Sequence, residues 1–144
     1  MTTVFEFFLS DYNRYSPIGR GMLTGQIKSF NDIPENDFRR LTPRFQPGNF
    51  EINIKLVQEL EKIAARRNCT PAQLALGWLV SLSKKEGMPA IIPIPGATTV
   101  ERVEENSTVV ELSEEDLKDI DSVLAKFEVV GDRYPAFAMK YMNG

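Results

Sequence analysis

The run IPIPGATTVERVEEN, Ile92 to Asn106, decides how this chain is read. It closes a short apolar strand over residues 89–95, turns through Gly96, and opens a helix near Thr98 or Thr99 that runs to about Val109. A helix entered this way leaves its first N–H groups and the positive end of its dipole at the turn, which suits a phosphate. Arg102, Glu105 and Asn106 stand at i, i+3 and i+4, so they share one helix face. Arginine offers a planar fork to a phosphate, while Glu and Asn offer acceptors and a donor to a base edge. The plainer reading is an exposed amphipathic helix with an Arg–Glu pair that contributes little.

A second loop precedes it. YSPIGRGMLTGQ, residues 15–26, carries Pro17, Gly19, Gly21 and Gly25 and has the backbone freedom of a loop. Gly19 and Gly21 let backbone approach a ligand, and Tyr15 can stack on a flat ring. An ordinary tight loop at a strand end explains the same residues. Arg20 reads either as a phosphate ligand or as a solvated charge.

Around these loops the chain alternates. Residues 3–9 have the apolar, β-favouring content of a buried strand. Residues 27–50, with Pro34, Pro43 and Pro47, read as a long excursion with one helical turn. Residues 51–67 form a helix that buries Ile52, Leu56, Leu60, Ile63 and Ala64. Thr70, Pro71 and Gln73 make a capping box, which opens a helix lined by Leu74, Ala75, Trp78, Leu79 and Leu82 and stopped by Gly87. Ser113 and Asp116 cap another helix, with Leu117, Ile120, Leu124 and Phe127 as its buried stripe. The tail from Val129 is irregular. Strand, loop, helices, then strand, loop, helices implies parallel strands with helical crossovers. Two such strands do not finish a sheet, so the chain reads as part of a larger α/β architecture.

Composition narrows the chemistry. The chain has 144 residues, 42% hydrophobic and 26% charged, which suits one globular domain. A net charge of −3 supplies no basic field for nucleic acid or an anionic membrane. No apolar run approaches a membrane-spanning length, and residues 1–14 lack the marks of a signal peptide, so a cytoplasmic location is expected. There is no histidine and one cysteine. A Ser-His-Asp triad, a Cys-His dyad, a His-based zinc site and an intrachain disulfide are therefore excluded. Chemistry here must use carboxylates, Tyr, Lys, Ser or a borrowed cofactor. Trp78 and Cys69 read as core, and Glu114, Glu115 and Asp116 as a helix start. Tyr134 and Tyr141 have no identifiable proton partner.

YSPIGRGMLTG, CTPAQLALGWL and IPIPGATTVERVEENS, in that order, resemble the aldo-keto reductase family, and GDRYP is similar to the tail of its fungal and bacterial members. The resemblance covers residues 15–144 and leaves 1–14 as an atypical N-terminal segment, with Asp11, Asn13 and Arg14 where apolar residues are expected. It implies an α/β fold, a partial (β/α)8 TIM barrel made of the last two βα units plus a C-terminal helix and tail. It also implies NADP(H) as cofactor. By resemblance Tyr15 stacks on the nicotinamide, and Ser16, Pro17, Ile18, Gly19 and Gly21 line the pyrophosphate loop. Gly96, Ala97 and Thr98 cradle the adenosine 2′-phosphate, Arg102 pairs with it, and Glu105 and Asn106 hold the adenine. Some members carry Lys-Ser at Gly96-Ala97, so fewer side-chain phosphate contacts are expected here.

The family's catalytic Tyr, Lys, Asp and His come from the first half of the barrel, so no catalytic residue and no metal ligand is assigned. The expectation is an NADP(H)-dependent oxidoreductase reducing aldehydes or ketones to alcohols, represented by its cofactor-binding C-terminal part. A carbonyl substrate is expected only in a complete barrel; for the chain itself, association with the missing barrel half or a full-length relative is an expected partnership. The alternatives are a non-catalytic nucleotide-binding or interaction fragment, or an unstable product of truncation, mis-splicing or an alternative start.

Overall fold

Phe50, Leu56, Val57, Leu60, Ile63 and Ala64 recur at helical spacing and wind Asn49–Arg66 into the first helix, α1. The structure, a computed structural model, describes residues 13–139, with side chains from residue 16 onward. The strand expected at 3–9 and Tyr141 lie outside the described residues. The buried face of α1 is rotated from the expected one. Ile52 is 45% exposed, while Asn53 is 2% exposed and sits within the apolar stripe. Its amide explains the rotation. Asn53 Nδ2 donates to the carbonyls of Arg44 and Val130 at 3.0 Å each, and its Oδ1 accepts from the Val130 N–H at 2.9 Å.

Pro71–Leu82 forms α2, opened as its spacing predicts. Thr70 Oγ1 accepts from the Gln73 N–H at 3.1 Å, and Gln73 Oε1 accepts from the Thr70 N–H at 3.0 Å. Trp78 lies in its buried face. The helix stops at Leu82, not at Gly87. Lys84, Lys85 and Glu86 are exposed and leave no apolar face to bury, and Ser83 Oγ accepts from the Ile91 N–H at 2.7 Å as the chain turns back. Gly77 lets α2 lie close to the segment after the next helix. A Cβ there would stand 2.6 Å from the Val110 carbonyl oxygen.

The remaining helices are α3 (Val100–Ser107), α4 (Glu114–Lys126) and a short α5 (Ala136–Met139) within the tail that had read as irregular. Two strands, β1 (Asn13–Tyr15) and β2 (Ile92–Ile94), pair in parallel with Asn13 opposite Ile92 and Tyr15 opposite Ile94. Parallel pairing was expected, but the partner of β2 is a polar triplet, of which Asn13 and Arg14 had been assigned to the atypical N-terminal segment and Tyr15 to the first loop. Strand pairing uses backbone N–H and C=O groups, so polar side chains do not prevent it.

Residues 27–50 are more turned than the single turn expected. They hold 3-10 segments at Phe30–Asp32, Phe38–Leu41 and Pro43–Phe45, after another at Gly19–Thr24 in the first loop that is kinked at Arg20 and Gly21. Local side-chain bonds open two of them. Asp32 Oδ2 accepts from the N–H groups of Lys28 and Ser29 at 2.8 Å each, and Asp37 Oδ1 accepts from the Arg39 N–H at 2.8 Å. Met22, Leu23, Ile33 and Phe45, all between β1 and α1, join α1, α2, Ile120, Leu124 and Val129 in one core.

Ser113 caps α4. Asp116 Oδ2 accepts from the Ser113 N–H at 2.8 Å and from its hydroxyl at 2.7 Å, and lies 3.2 Å from Arg67 Nε. Burial pushes the Asp116 carboxyl up, but the Ser113 bonds and the guanidinium groups of Arg67 and Arg66 outweigh it and hold the pKa below its ordinary 3.8.

Two outcomes follow. Asn53→Ala removes three bonds inside the core and is expected to cost roughly 2–3 kcal/mol in urea unfolding. Asp116 binds its proton more weakly folded than unfolded, so its contribution is complete above pH 3.8 and lost as pH falls through the lower folded value. Asp116→Asn is therefore expected to flatten the loss of stability on acidification below about pH 4, measured by urea unfolding across a pH series.

Candidate functional site

Parallel pairing of β1 and β2 sends the loops that follow them out on the same side. A cleft of about 330 Å³ opens between these loops. The first loop and its continuation supply Ser16, Ile18, Arg20, Gly21, Thr24, Gln26 and Ile27. Gly96, Thr98 and Arg102 face them, and Arg39 closes the wall from the excursion.

Six of the site residues expected from sequence thus meet at one cleft: Ser16, Ile18, Gly21, Gly96, Thr98 and Arg102. Gly19 lines a small adjoining cavity with Ser16, Arg20, Arg44 and Arg133. Pro17 is buried beneath the loop, and Ala97 is exposed at the turn. Glu105 and Asn106 share the half-buried side of α3 with Arg102, as their spacing predicts, but do not line the cleft. The Glu105 backbone carbonyl accepts from Gln73 Nε2 at 3.4 Å. Tyr15 ends β1, and its side chain lies outside the description. Thr24, Gln26, Ile27 and Arg39 were missed. No local pattern marks them, because the excursion folds back to bring Arg39 to the loop.

Arg102 extends into the cleft and away from the apolar interior. Its Nη2 donates to Gln26 Oε1, and it forms no ion pair with Glu105 among the described residues. Thr99 caps α3, accepting from the Arg102 N–H at 3.4 Å. The Glu101 carboxyl is held below its ordinary pKa by its own N–H and the Thr99 hydroxyl, the response of a carboxylate to a helix start. In front of Gly96 the space is open: a Cβ there would meet nothing within 4 Å.

The first loop bends sharply, with positive φ at Ser16 (54°), Gly19 (59°), Arg20 (56°) and Gly21 (89°). The Gly19 and Gly21 N–H groups donate to the Ser16 and Ile18 carbonyls at 3.0 and 3.1 Å. These two glycines therefore serve the turn itself, with their N–H groups directed into the loop. A Cβ on Gly21 would also come within 3.3 Å of Arg39 Nη1. Arg39 forms a fork with Asp37 (Nη2–Oδ2 2.7 Å, Nε–Oδ1 2.9 Å) and donates from Nη1 to the Arg20 carbonyl at 3.1 Å. Asp37 is held below its ordinary pKa chiefly by that Arg39 bond.

The cleft lining carries three guanidinium groups and no carboxylate, lysine or tyrosine among the described residues. It can hold an anionic ligand, and it presents no acid or base poised to move a proton near neutral pH. The Cys69 thiol is raised by burial, lies on the α1–α2 connection and takes no part in the cleft. Among the described residues no group of three His, Cys, Asp or Glu could hold a metal, and no helix is long and apolar enough to cross a membrane.

Comparison with known proteins places the cleft in context. The sequence profile described as "Aldo/keto reductase family" matches residues 12–125. The chain is 46% identical over 123 residues to "Aldo-keto reductase yakc [NADP(+)]" of Schizosaccharomyces pombe, covering 84% of this chain and 35% of that protein. It is 41% identical over 129 residues to the "Putative pyridoxal reductase" of Saccharomyces cerevisiae, covering 83% and 37%. It is 35% identical over 135 residues to "Probable aldo-keto reductase 1" of Glycine max, covering 90% and 37%. The chain thus spans about a third of the length of these curated relatives. No solved structure matches it significantly.

Proposed function

This chain belongs to the aldo/keto reductase family, and we propose that its cleft is a seat for the phosphate-bearing part of NADP(H), within a barrel whose last two βα units these residues form. The observation that carries the reading is the placement of Arg102, Gly96 and Thr98 across one carboxylate-free cleft from Ser16, Ile18 and Gly21. The chemistry of this donor set suits a phosphorylated coenzyme: the Arg102 guanidinium fork for phosphate oxygens, hydroxyls for hydrogen bonds, and open space at Gly96 where an incoming group meets no side chain. The similarity to a yeast protein named for NADP(+) supports the same choice of coenzyme.

When bound, the coenzyme supplies a hydride for the carbonyl carbon of an aldehyde or ketone. The residues of this chain bind and orient it. Ser16, Pro17, Ile18, Gly19 and Gly21 shape the pyrophosphate side, and Tyr15 stacks beside the nicotinamide. Gly96, Ala97, Thr98 and Arg102 take the adenosine 2′-phosphate, and Glu105 and Asn106 border the adenine. Arg102 is the residue that separates NADP(H) from NAD(H), because only the former carries the 2′-phosphate its fork can grip. Gln26 keeps that fork turned into the cleft.

A second reading is that these residues bind nucleotide without reducing anything, which the absence of an acid or base among the described lining residues supports. The rest of the barrel then supplies catalysis by packing onto β2, whose Ile92 and Ile94 are 63% and 52% exposed.

Fluorescence titration of the chain with NADPH and NADH tests the coenzyme assignment. Arg102→Ala is expected to weaken NADPH by about 10- to 100-fold, roughly 1.5–3 kcal/mol, with little effect on NADH. Equal losses would remove the 2′-phosphate from the account. In an assay of NADPH oxidation with 4-nitrobenzaldehyde, the chain alone is expected to show no turnover. Measurable turnover would place a catalytic group among these residues and exclude the second reading.

A further inference from the structure

We propose that the tail residue Tyr134 holds the Ser16–Gly21 loop in its binding shape through Arg20, which makes Arg20 a positioning residue and not a phosphate ligand. The effect on coenzyme affinity rests on the function proposed above; the effect on the loop does not.

Arg20 is a non-glycine residue in the left-handed region, at φ 56° and ψ 35°. That conformation costs about 1–2 kcal/mol and persists only where the surroundings hold it. Four contacts do so. Arg39 Nη1 donates to the Arg20 carbonyl at 3.1 Å. Arg20 Nη1 donates to Thr42 Oγ1 at 3.4 Å, and the buried Thr42 hydroxyl donates in turn to the Phe38 carbonyl at 3.2 Å. The Arg20 guanidinium carbon lies 4.2 Å from the centre of the Tyr134 ring and 5.6 Å from that of Phe38. At these separations a cation is attracted to the ring face. The Arg20 guanidinium is thus engaged by Thr42, Phe38 and, at the shortest ring distance, Tyr134 of the tail.

The tail can bear this load because it is anchored four residues earlier. Asn53 grips both the N–H and the carbonyl of Val130, and Arg44 Nε donates to the Gly131 carbonyl at 3.1 Å. Tyr134 thus extends from a fixed point onto the loop. Without its ring the guanidinium loses its closest aromatic contact. The loop can then relax toward ordinary backbone angles and lose alignment with Arg102 across the cleft.

Hydrogen exchange of the ligand-free chain tests the latch directly. In Tyr134→Ala the Gly19, Gly21 and Leu23 amides are expected to exchange about fivefold faster, with α1 and α2 amides unchanged. Tyr134→Phe, which keeps the ring, should match the native chain. Tyr134→Leu, which keeps apolar volume without the ring face, should behave as Tyr134→Ala and serves if that variant folds poorly. Unchanged loop exchange in both ring-less variants overturns the proposal.

Titration with NADPH and NADH gives the second readout. Tyr134→Ala and Arg20→Ala should each weaken both coenzymes by a similar factor of about five, and the double variant by no more than either. A much larger loss in Arg20→Ala than in Tyr134→Ala makes Arg20 a direct ligand and overturns the proposal. If the native chain binds neither coenzyme, the coenzyme assignment falls, and loop exchange alone decides the latch.

Discussion

A buried amide in α1 ties the excursion before it to the tail at the far end of the fold. Asn53, in the apolar stripe of α1, binds the backbone of Val130 from both sides and the Arg44 carbonyl as well. A buried amide left unpaired is costly, so these bonds admit one arrangement of helix, excursion and tail. The tail is thereby placed where Tyr134 reaches Arg20, and the excursion where Arg39 reaches the Arg20 carbonyl. The shape of the first loop is set by residues far from it in the chain.

The cleft depends on a second, smaller constraint. β1 and β2 contribute only three residues each, yet their parallel pairing decides that two loops face each other. Once they do, the charges sort themselves by partner. Arg39 is neutralised by Asp37, Arg20 is drawn onto aromatic rings, and Arg102 meets the neutral amide of Gln26. Of the three, Arg102 is the one with neither a carboxylate nor a ring as partner among the described residues, on the helix face where its position in the sequence put it.

What could be read along the chain was local. The capping boxes at Thr70–Gln73 and Ser113–Asp116 and the cap at Thr99 formed as their spacing implied, since cap and helix lie within three residues and need no tertiary help. The turn at Gly96 and the shared face of Arg102, Glu105 and Asn106 belong to the same class. The misreadings share a cause too. Ile52 looked like core and Asn53 was passed over because hydropathy ranks side chains singly, whereas the partners of Asn53 arrive from 9 and 77 residues away. β1 escaped notice because its side chains are polar and its bonds are made by backbone.

The amino-acid sequence by itself determined where helices begin, which loops carry glycine, that these residues hold no histidine and can form no disulfide among themselves, and which family the chain resembles. Each depends on residue identity or on neighbours within a turn. Only the tertiary structure decided that Gln26 meets Arg102, that Arg39 reaches the Arg20 carbonyl and that Tyr134 meets Arg20. Those contacts join residues 76, 19 and 114 positions apart, and a side chain's partner at that range is set by how helices and strands pack, which no local pattern encodes.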